Sequence, residues 1–254
     1  MFSLVVRSEA NSAERDILIA ELWEAGATGI TEEADVVRAF FEGTPHTVSV
    51  RFAHLQATVH EEDPRDWVRF AQDQWTPFPV GDRFYLVPEW LDDPAPDGRL
   101  RLRMHPGMAC GTGTHAATRL CLMGMERHVY PGDRVLDVGT GAGILADAAT
   151  LLGASPVYGC DIDHRSTLVA RANIENVALF TGSVRSVRTN AVDWAVCNLN
   201  AATLTSIASD LQRVARRLIL SGFREEETGT ISKLFPNRDT KEELELEGYA
   251  CLVL

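Results

Sequence analysis

The first part of the chain alternates short apolar runs with polar turn residues. Ser12 is a suitable helix N-cap, and Gly26 is a suitable stop for the helix between them. The predicted elements are a strand at residues 2–6, a helix at 13–25 and strands at 29–32 and 36–41. This order of strand, helix, strand and strand predicts a small α+β domain over residues 1–61.

From about residue 112 onward, short apolar segments alternate with segments of helical periodicity. The predicted strands are 134–138, 157–160, 177–180, 192–197 and 217–220, the predicted helices 118–127, 144–152, 166–173, 203–214 and 225–235, and the final pair of strands 242–246 and 249–254. Such alternation is typical of parallel βαβ units with helices on both faces. The pattern therefore predicts an α/β fold, a doubly wound Rossmann-like sheet that ends in an antiparallel hairpin.

The residues between these two patterns, 62–104, are expected to form a connector that precedes a larger domain over 105–254. Its predicted parts are a helix at 64–75, a strand at 84–87 and a turn-rich loop at 92–98. Arginines then alternate with apolar residues, namely Arg99, Arg101 and Arg103 with Leu100, Leu102 and Met104. This alternation predicts a solvated sheet face, and a group that binds an acidic ligand is the alternative.

Composition and charge exclude several classes of protein. The 254 residues are 45% hydrophobic and 24% charged, which is typical of a globular chain and not of a disordered one. No apolar run approaches the roughly 18 residues of a membrane span, and the first residues lack the basic segment of a secretory signal. The net charge of −12 disfavours binding to nucleic-acid phosphates and suits a basic partner.

The five cysteines and seven histidines show no metal-binding spacing. We therefore expect no metal site and no disulfide framework, with the thiols acting as small apolar residues. The cysteines are Cys110, Cys121, Cys160, Cys197 and Cys251.

A glycine-rich loop follows the first strand of the larger predicted domain. Gly139, Gly141 and Gly143 stand at G-x-G-x-G spacing, and Ile144 occupies the position of the third glycine of the dinucleotide fingerprint. Asp161 ends the next strand, where a carboxylate can accept hydrogen bonds from ribose hydroxyl groups. The altered spacing favours a nucleoside ligand without phosphates, such as S-adenosylmethionine, over a dinucleotide.

The segments around this loop resemble a known family. Residues 135–146, VLDVGTGAGILA, resemble motif I of the seven-stranded S-adenosylmethionine-dependent methyltransferases. Residues 106–118, PGMACGTGTHAAT, resemble the P-G-x-A-F-G-T-G-x-H-x-x-T signature of the bacterial PrmA family, whose members methylate protein eleven of the large ribosomal subunit. Further similar segments are GCDID at 159–163, CNLNA at 197–201 and LILSG at 218–222.

The resemblance implies a cytoplasmic protein methyltransferase that uses S-adenosyl-L-methionine and acts on lysine or α-amino nitrogens. It implies a basic ribosomal protein as the partner, recognised by the first 60 residues, with a catalytic role for Asn198 facing the methyl group. For His115 we expect a role in shaping the loop. The residues implied in cofactor binding are Thr112, Gly113, Thr118, Asp137, Gly139, Gly141, Gly143, Asp161, Ile162 and Asn198.

Some residues depart from the family pattern and leave alternatives open. Cys110 replaces the usual phenylalanine, and Ala116 and Ala117 replace the usual pair, proline or glutamate together with threonine. Asn200 stands where an apolar or aromatic residue is common. The alternatives are transfer to another protein lysine or to a small-molecule amine, a nicotinamide-dependent oxidoreductase, and a cofactor-binding protein without catalysis. We expect a monomer that binds neither nucleic acid nor membranes.

Overall fold

A computed structural model describes most of the chain, which separates into two compact units, residues 1–75 and 76–254. The predicted helix at 64–75 and the signature segment at 106–114 lie outside the described residues. Within the described part, no helix is long and apolar enough to cross a bilayer. The described residues are 2–7, 13–33, 35–43, 46–55, 57–61, 76–105 and 115–254.

In its described residues, the first unit is a four-stranded antiparallel sheet with two helices. The sheet order is β2-β3-β1-β4, and Leu18 and Leu22 of α1 belong to a core that includes Phe2, Leu4 and Phe41. The predicted order of strand, helix, strand and strand is confirmed. The elements are β1 Phe2–Arg7, α1 Ala13–Glu24, β2 Gly29–Glu33, β3 Val36–Phe41, α2 His46–Arg51 and β4 Thr58–Glu61, with a 3₁₀ turn at Ala53–Leu55.

The helix α2 was not predicted from the sequence. Its residues, HTVSVR, include three β-branched side chains, which have low helix propensity. Phe52 follows the helix and is 1% exposed in the core of this unit. Burial of this ring therefore outweighs the local propensity.

The second unit opens with a three-stranded sheet in the order β5-β6-β7 (Phe78–Val80, Phe84–Pro88 and Leu100–Met104). The predicted strand at 84–87 is confirmed, but residues 76–104 belong to the larger unit and are not a separate linking segment. Glu126 of helix α3 (Ala116–His128) holds the turn between β5 and β6. Its carboxylate accepts hydrogen bonds from the backbone N–H groups of Asp82 (3.0 Å) and Arg83 (2.8 Å).

The arginines of β7 and its approach contact backbone oxygens. Arg99 donates to the carbonyl oxygen of Phe84 at 2.9 Å, and Arg101 donates to that of Asp93 at 2.9 Å. Arg103 is exposed on the same strand. Two of the three guanidinium groups therefore stabilise the small sheet and its loop, so the row does not form an open site for an acidic ligand.

The main sheet has seven strands in the order β10-β9-β8-β11-β12-β14-β13. All neighbouring strands are parallel except β14, which runs antiparallel to both of its neighbours. The doubly wound sheet and its terminal hairpin are thereby confirmed. The strands are β8 Val135–Val138, β9 Val157–Asp161, β10 Val177–Thr181, β11 Val192–Asn198, β12 Ala215–Arg224, β13 Glu242–Leu246 and β14 Tyr249–Val253.

Four further helices connect these strands: α4 Ile144–Leu151, α5 His164–Asn173, α6 Ala201–Val214 and α7 Thr228–Lys233. The helix predicted at 225–235 is divided, since a 3₁₀ turn at Glu225–Glu227 precedes α7. Strands β8 and β11 are neighbours in the sheet although they are the first and fourth strands along the chain. The strand order therefore reverses between them, and their carboxyl ends form the topological switch point where open α/β sheets bind ligands.

Candidate functional site

A cavity of about 520 Å³ opens at this switch point, within the size range of small-molecule sites. Residues from five segments of the larger unit line it. They are Thr118 of α3, residues 138–141 and 144–145 around the glycine loop (residues 139–143), residues 160–163 and Ser166 at the end of β9, residues 182–184 after β10, and residues 198–200, Thr203 and Ile207 after β11.

Several backbone N–H groups of the glycine loop already donate to protein acceptors. Those of Gly139 and Thr140 donate to the carbonyl oxygen of Cys160 at 2.8 and 3.0 Å. That of Gly141 donates to Oδ2 of Asp161 at 3.0 Å. A phosphate cradle needs such groups free at the start of the following helix. The N–H group of Gly141 therefore already holds a carboxylate of the protein, with which a phosphate would have to compete.

Two glycines of the loop are required for different reasons. Gly139 lies at φ +78°, lines the cavity, and would place a Cβ atom 2.6 Å from Cδ2 of Leu199. Gly143 lies at φ +96°, and its Cβ would lie 2.7 Å from Cδ1 of Ile174. Gly143 does not line the cavity. Its lack of a side chain instead allows the loop to pack closely against Ile174 at the end of α5.

Asp161 is fixed at the rim of the cavity by two backbone hydrogen bonds. Besides the bond from Gly141, its Oδ1 atom accepts one from the N–H group of Asp163 at 2.9 Å. Asp163 in turn caps α5, and the hydrogen bonds from Arg165 lower the pKa of its carboxyl group. Ile162 lies between the two acids with 81% of its surface exposed. The carboxylate of Asp161 thus has a set orientation, with lone pairs left for further donors.

Asn198 and Thr118 meet at the opposite side of the cavity. The Nδ2 atom of Asn198 donates to Oγ1 of Thr118 at 3.0 Å, and Thr118 is 1% exposed. The next residue, Leu199, donates its N–H to the carbonyl oxygen of Ser221 at 2.9 Å. Gly222, at φ +97°, allows this approach, because a Cβ atom there would lie 2.6 Å from the backbone nitrogen of Leu199. The side-chain oxygen of Asn198 is thereby presented at the end of β11.

Asn200 and His115 are helix caps. Oδ1 of Asn200 accepts a hydrogen bond from the N–H group of Thr203 at 2.8 Å, which explains a polar residue at this position. Nδ1 of His115 accepts one from the N–H group of Ala117 at 3.3 Å at the start of α3. The loop that His115 was expected to shape precedes this cap and lies outside the described residues, so that role stays a prediction. Thr112, Gly113 and Cys110 lie outside the described residues.

Asp137 lies beneath the glycine loop and does not line the cavity. Its Oδ2 atom accepts a hydrogen bond from Oγ1 of Thr140 at 2.7 Å, and the backbone N–H group of Ala146 also acts on the carboxyl group. Burial raises the pKa of Asp137 to about 7, in spite of the hydrogen bond from Thr140. Asp137 therefore contacts the glycine loop through Thr140 and not the cavity itself.

The described lining of the cavity has an acidic character. It contains Asp161 and Asp163 but no lysine, arginine or histidine. Cys160 also lines it, and burial raises the pKa of this thiol to about 12, so it stays neutral. Such a lining repels phosphate groups and favours a cationic ligand.

Several lining residues were not identified from the sequence. Gly182 and Ser183 follow β10, and Thr203 and Ile207 lie one turn apart on α6. The available signal was their position after the carboxyl end of a parallel strand, where ligands bind. The four cysteines of the described part, in contrast, are buried and unpaired, as predicted for small apolar residues. No cluster suited to a metal ion occurs among the residues described.

The strand order, the glycine loop after the first strand and the acid after the second define the class of the seven-stranded Rossmann-like methyltransferases. The family model of the ribosomal protein L11 methyltransferase (PrmA) matches residues 5–253. The chain therefore belongs to this family, and the resemblance seen in the sequence is confirmed.

Individual relatives agree with this family. The chain is 40% identical over 201 residues to a ribosomal protein L11 methyltransferase of Paraburkholderia xenovorans, which covers 77% of this chain and 67% of the relative. It is 39% identical over 203 residues to that of Burkholderia cenocepacia, with 78% and 67% covered. A crystal structure of ribosomal protein L11 methylase from Lactobacillus delbrueckii subsp. bulgaricus is similar with a TM-score of 0.63 and 27% identity, covering 70% of this chain and 97% of that one.

Proposed function

We propose that this protein transfers methyl groups from S-adenosyl-L-methionine to lysine or α-amino nitrogens of ribosomal protein L11. The relatives described above are named ribosomal protein L11 methyltransferase or methylase, which supports ribosomal protein L11 as the methyl acceptor. One observation supports the cofactor above all: the cavity at the switch point has an acidic lining, and the N–H groups of Gly139, Thr140 and Gly141 donate to protein acceptors. A nicotinamide dinucleotide, with its two phosphates, fits this arrangement poorly.

The residues of the cavity fit a nucleoside attached to a cationic group. Asp161 is oriented to accept hydrogen bonds from ribose hydroxyls, and the missing side chain of Gly139 allows close approach of the ligand. When bound, S-adenosylmethionine supplies a methyl group activated by a sulfonium cation. Thr112 and Gly113 of the signature segment complete the proposed set together with Thr118.

Asn198 is the residue proposed to hold the acceptor amine. Its Nδ2 atom donates to Thr118, so its Oδ1 atom is the part of the amide left to accept a hydrogen bond from the amine. A lysine attacks only when neutral, and its reference pKa is about 10.4. Removal of the amine from water lowers that pKa, so a closed site assists the loss of the proton.

A dedicated general base is not part of this proposal. The described lining residues include no histidine, lysine or tyrosine. The sulfonium is a good leaving group, so alignment of amine and methyl group is expected to supply most of the acceleration. The residues of this chain thus bind, orient and exclude water.

The first unit, with its separate core, is proposed to recognise the ribosomal protein. The net charge of −12 attracts a basic protein at long range, which raises the rate of encounter. Methylation of a ribosomal protein takes place in the cytoplasm, which is the proposed location. The division of labour between recognition and chemistry therefore follows the division into two units.

Titration calorimetry with S-adenosylmethionine tests the cofactor assignment. Replacement of Asp161 by alanine (Asp161→Ala) should weaken binding about tenfold or more, equivalent to about 1.4 kcal/mol, because the ribose loses its acceptor. Asp239→Ala, at a side chain that is 94% exposed, is the matched control and should bind like the wild type. Equal affinity of Asp161→Ala and wild type, or tight binding of NADH, contradicts the assignment.

Transfer of a radiolabelled methyl group to cell extract tests the acceptor. The proposal predicts one dominant labelled protein, ribosomal protein L11, identified by mass spectrometry. Dominant labelling of another protein or of a small amine would retain the cofactor assignment and replace the acceptor.

A further inference from the structure

The tip of the terminal hairpin lies against the start of helix α3. The tip is defined here as residues 246–249, in which Glu247 and Gly248 both have positive φ, as tight hairpin turns require. The ring of Tyr249 meets the ring of His115 edge to face, with centroids 4.6 Å apart. Oε1 of Glu247 accepts a hydrogen bond from Nη1 of Arg119 at 3.0 Å.

The first turn of α3 is thereby held at three successive points. His115 contacts Tyr249, Thr118 bonds to Asn198, and Arg119 pairs with Glu247. Among these three residues, Thr118 alone lines the cavity. The hairpin tip thus contacts residues on either side of the one that reaches the site.

The contact with Tyr249 acts on the cap of the helix. His115 accepts a hydrogen bond from the N–H group of Ala117 through Nδ1, and from those of Thr118 and Arg119 through its carbonyl oxygen. The hydrogen bond at Nδ1 depends on the orientation of the imidazole ring. The edge-to-face contact sets that orientation, and Arg224 lies over the Tyr249 ring at 4.1 Å, which fixes the tyrosine in turn.

We propose that Tyr249 is a positioning residue of the cofactor site, which acts through His115 to hold Thr118 against the cavity. The inference rests on the proposed function, because it assigns the positioned residue to cofactor binding. Tyr249 is the first residue of β14 and Thr118 lies in α3, far apart along the chain, so the tertiary fold alone brings them together. The cofactor site is therefore complete only when the terminal hairpin has formed and its tip contacts His115.

The test is calorimetric titration of S-adenosylmethionine into the full-length Tyr249→Leu and Tyr249→Phe variants. Loss of the ring in Tyr249→Leu should raise Kd about fivefold, whereas Tyr249→Phe keeps the ring and should remain within about twofold of the wild type. The matched control is Glu242→Gln. Glu242 joins the same hairpin to the opposite end of α3 through His128 and Arg127, so this variant loses stability without disturbing the first turn.

Hydrogen exchange gives a second readout that needs no ligand. The amides of Ala117, Thr118 and Arg119 should exchange about fivefold faster in Tyr249→Leu than in the wild type, with no change in Tyr249→Phe. If the wild type failed to bind S-adenosylmethionine, the proposed function would fall, while this measurement would still decide whether Tyr249 holds the helix.

Two results would overturn the inference: a Kd of Tyr249→Leu within about twofold of the wild type, or an equal rise in Glu242→Gln. If Tyr249→Leu does not fold, His115→Asn replaces it, because asparagine keeps the cap and removes the ring contact. An unchanged Kd for His115→Asn would likewise contradict the role of the ring pair.

Discussion

Asp137 is an ionisable group buried under the glycine loop, at 1% exposure. Burial raises the pKa of its carboxyl group from 3.8 to about 7. In the folded protein the carboxyl group therefore keeps its proton up to about pH 7, whereas in the unfolded chain it ionises above about pH 4. Replacement by asparagine (Asp137→Asn) keeps the shape of the side chain and removes the titration.

The sign and size of the effect follow from these two pKa values. The folded state binds this proton more tightly than the unfolded chain does. The proton therefore stabilises the fold fully below about pH 4, and this stabilisation is lost as the pH rises through about 7. One pKa unit is equivalent to about 1.36 kcal/mol, so a pKa difference of about 3 corresponds to about 4 kcal/mol of folding stability in total. About 2.5 kcal/mol of this loss falls between pH 5 and pH 8.

Hydrogen exchange on peptides from β8 and β11 measures the opening free energy of the larger unit at both pH values. The wild type should lose about 2.5 kcal/mol more than Asp137→Asn on going from pH 5 to pH 8. Asp239→Asn, at an exposed side chain, serves as the control and should parallel the wild type. Parallel profiles for wild type and Asp137→Asn would refute the assignment of a raised pKa to this group.

Three further substitutions test the packing around the site, each by thermal and urea unfolding. Gly222→Ala should cost at least about 2 kcal/mol, because its φ is positive and its Cβ would meet the backbone of Leu199, whereas Gly229→Ala has open space and should be neutral or stabilising; equal effects would refute this. Glu126→Ala should cost about 2 kcal/mol by removing the acceptor of two N–H groups in the β5–β6 turn, and an unchanged midpoint would count against it. Asn200→Ala should lower the free energy of unfolding by about 1 kcal/mol, and Asn200→Ser by only a few tenths, because serine keeps the helix cap. Equal stability of both variants and the wild type would contradict the cap role.

The sequence was sufficient to predict the main sheet and the position of its site. Strands such as β8 are buried on both faces, so they are continuous apolar runs that stand out between amphipathic helices. The end of β9 at Asp161 and the loop at Gly139 followed from the same pattern, because parallel strands bring their carboxyl ends to one edge.

Other features depend on contacts between residues that are distant along the chain. The pairing of Tyr249 with His115 and the cap role of Asn200 required the tertiary structure. Asp137 and Gly143 belong to the motif by spacing, yet neither lines the cavity. The hydrogen bond from the N–H group of Gly141 to Asp161 could not be predicted from the sequence either, although it gives the strongest argument against a bound phosphate.

The proposed activity of this chain is methylation of ribosomal protein L11 with S-adenosylmethionine. The most direct test is transfer of a tritiated methyl group to purified L11, with Asn198→Ala as the variant that removes the proposed amine acceptor. We expect the wild type to label lysine or α-amino nitrogens of L11, and Asn198→Ala to lose most of this rate. Binding of S-adenosylmethionine without any transfer to L11, or full activity of Asn198→Ala, would contradict it.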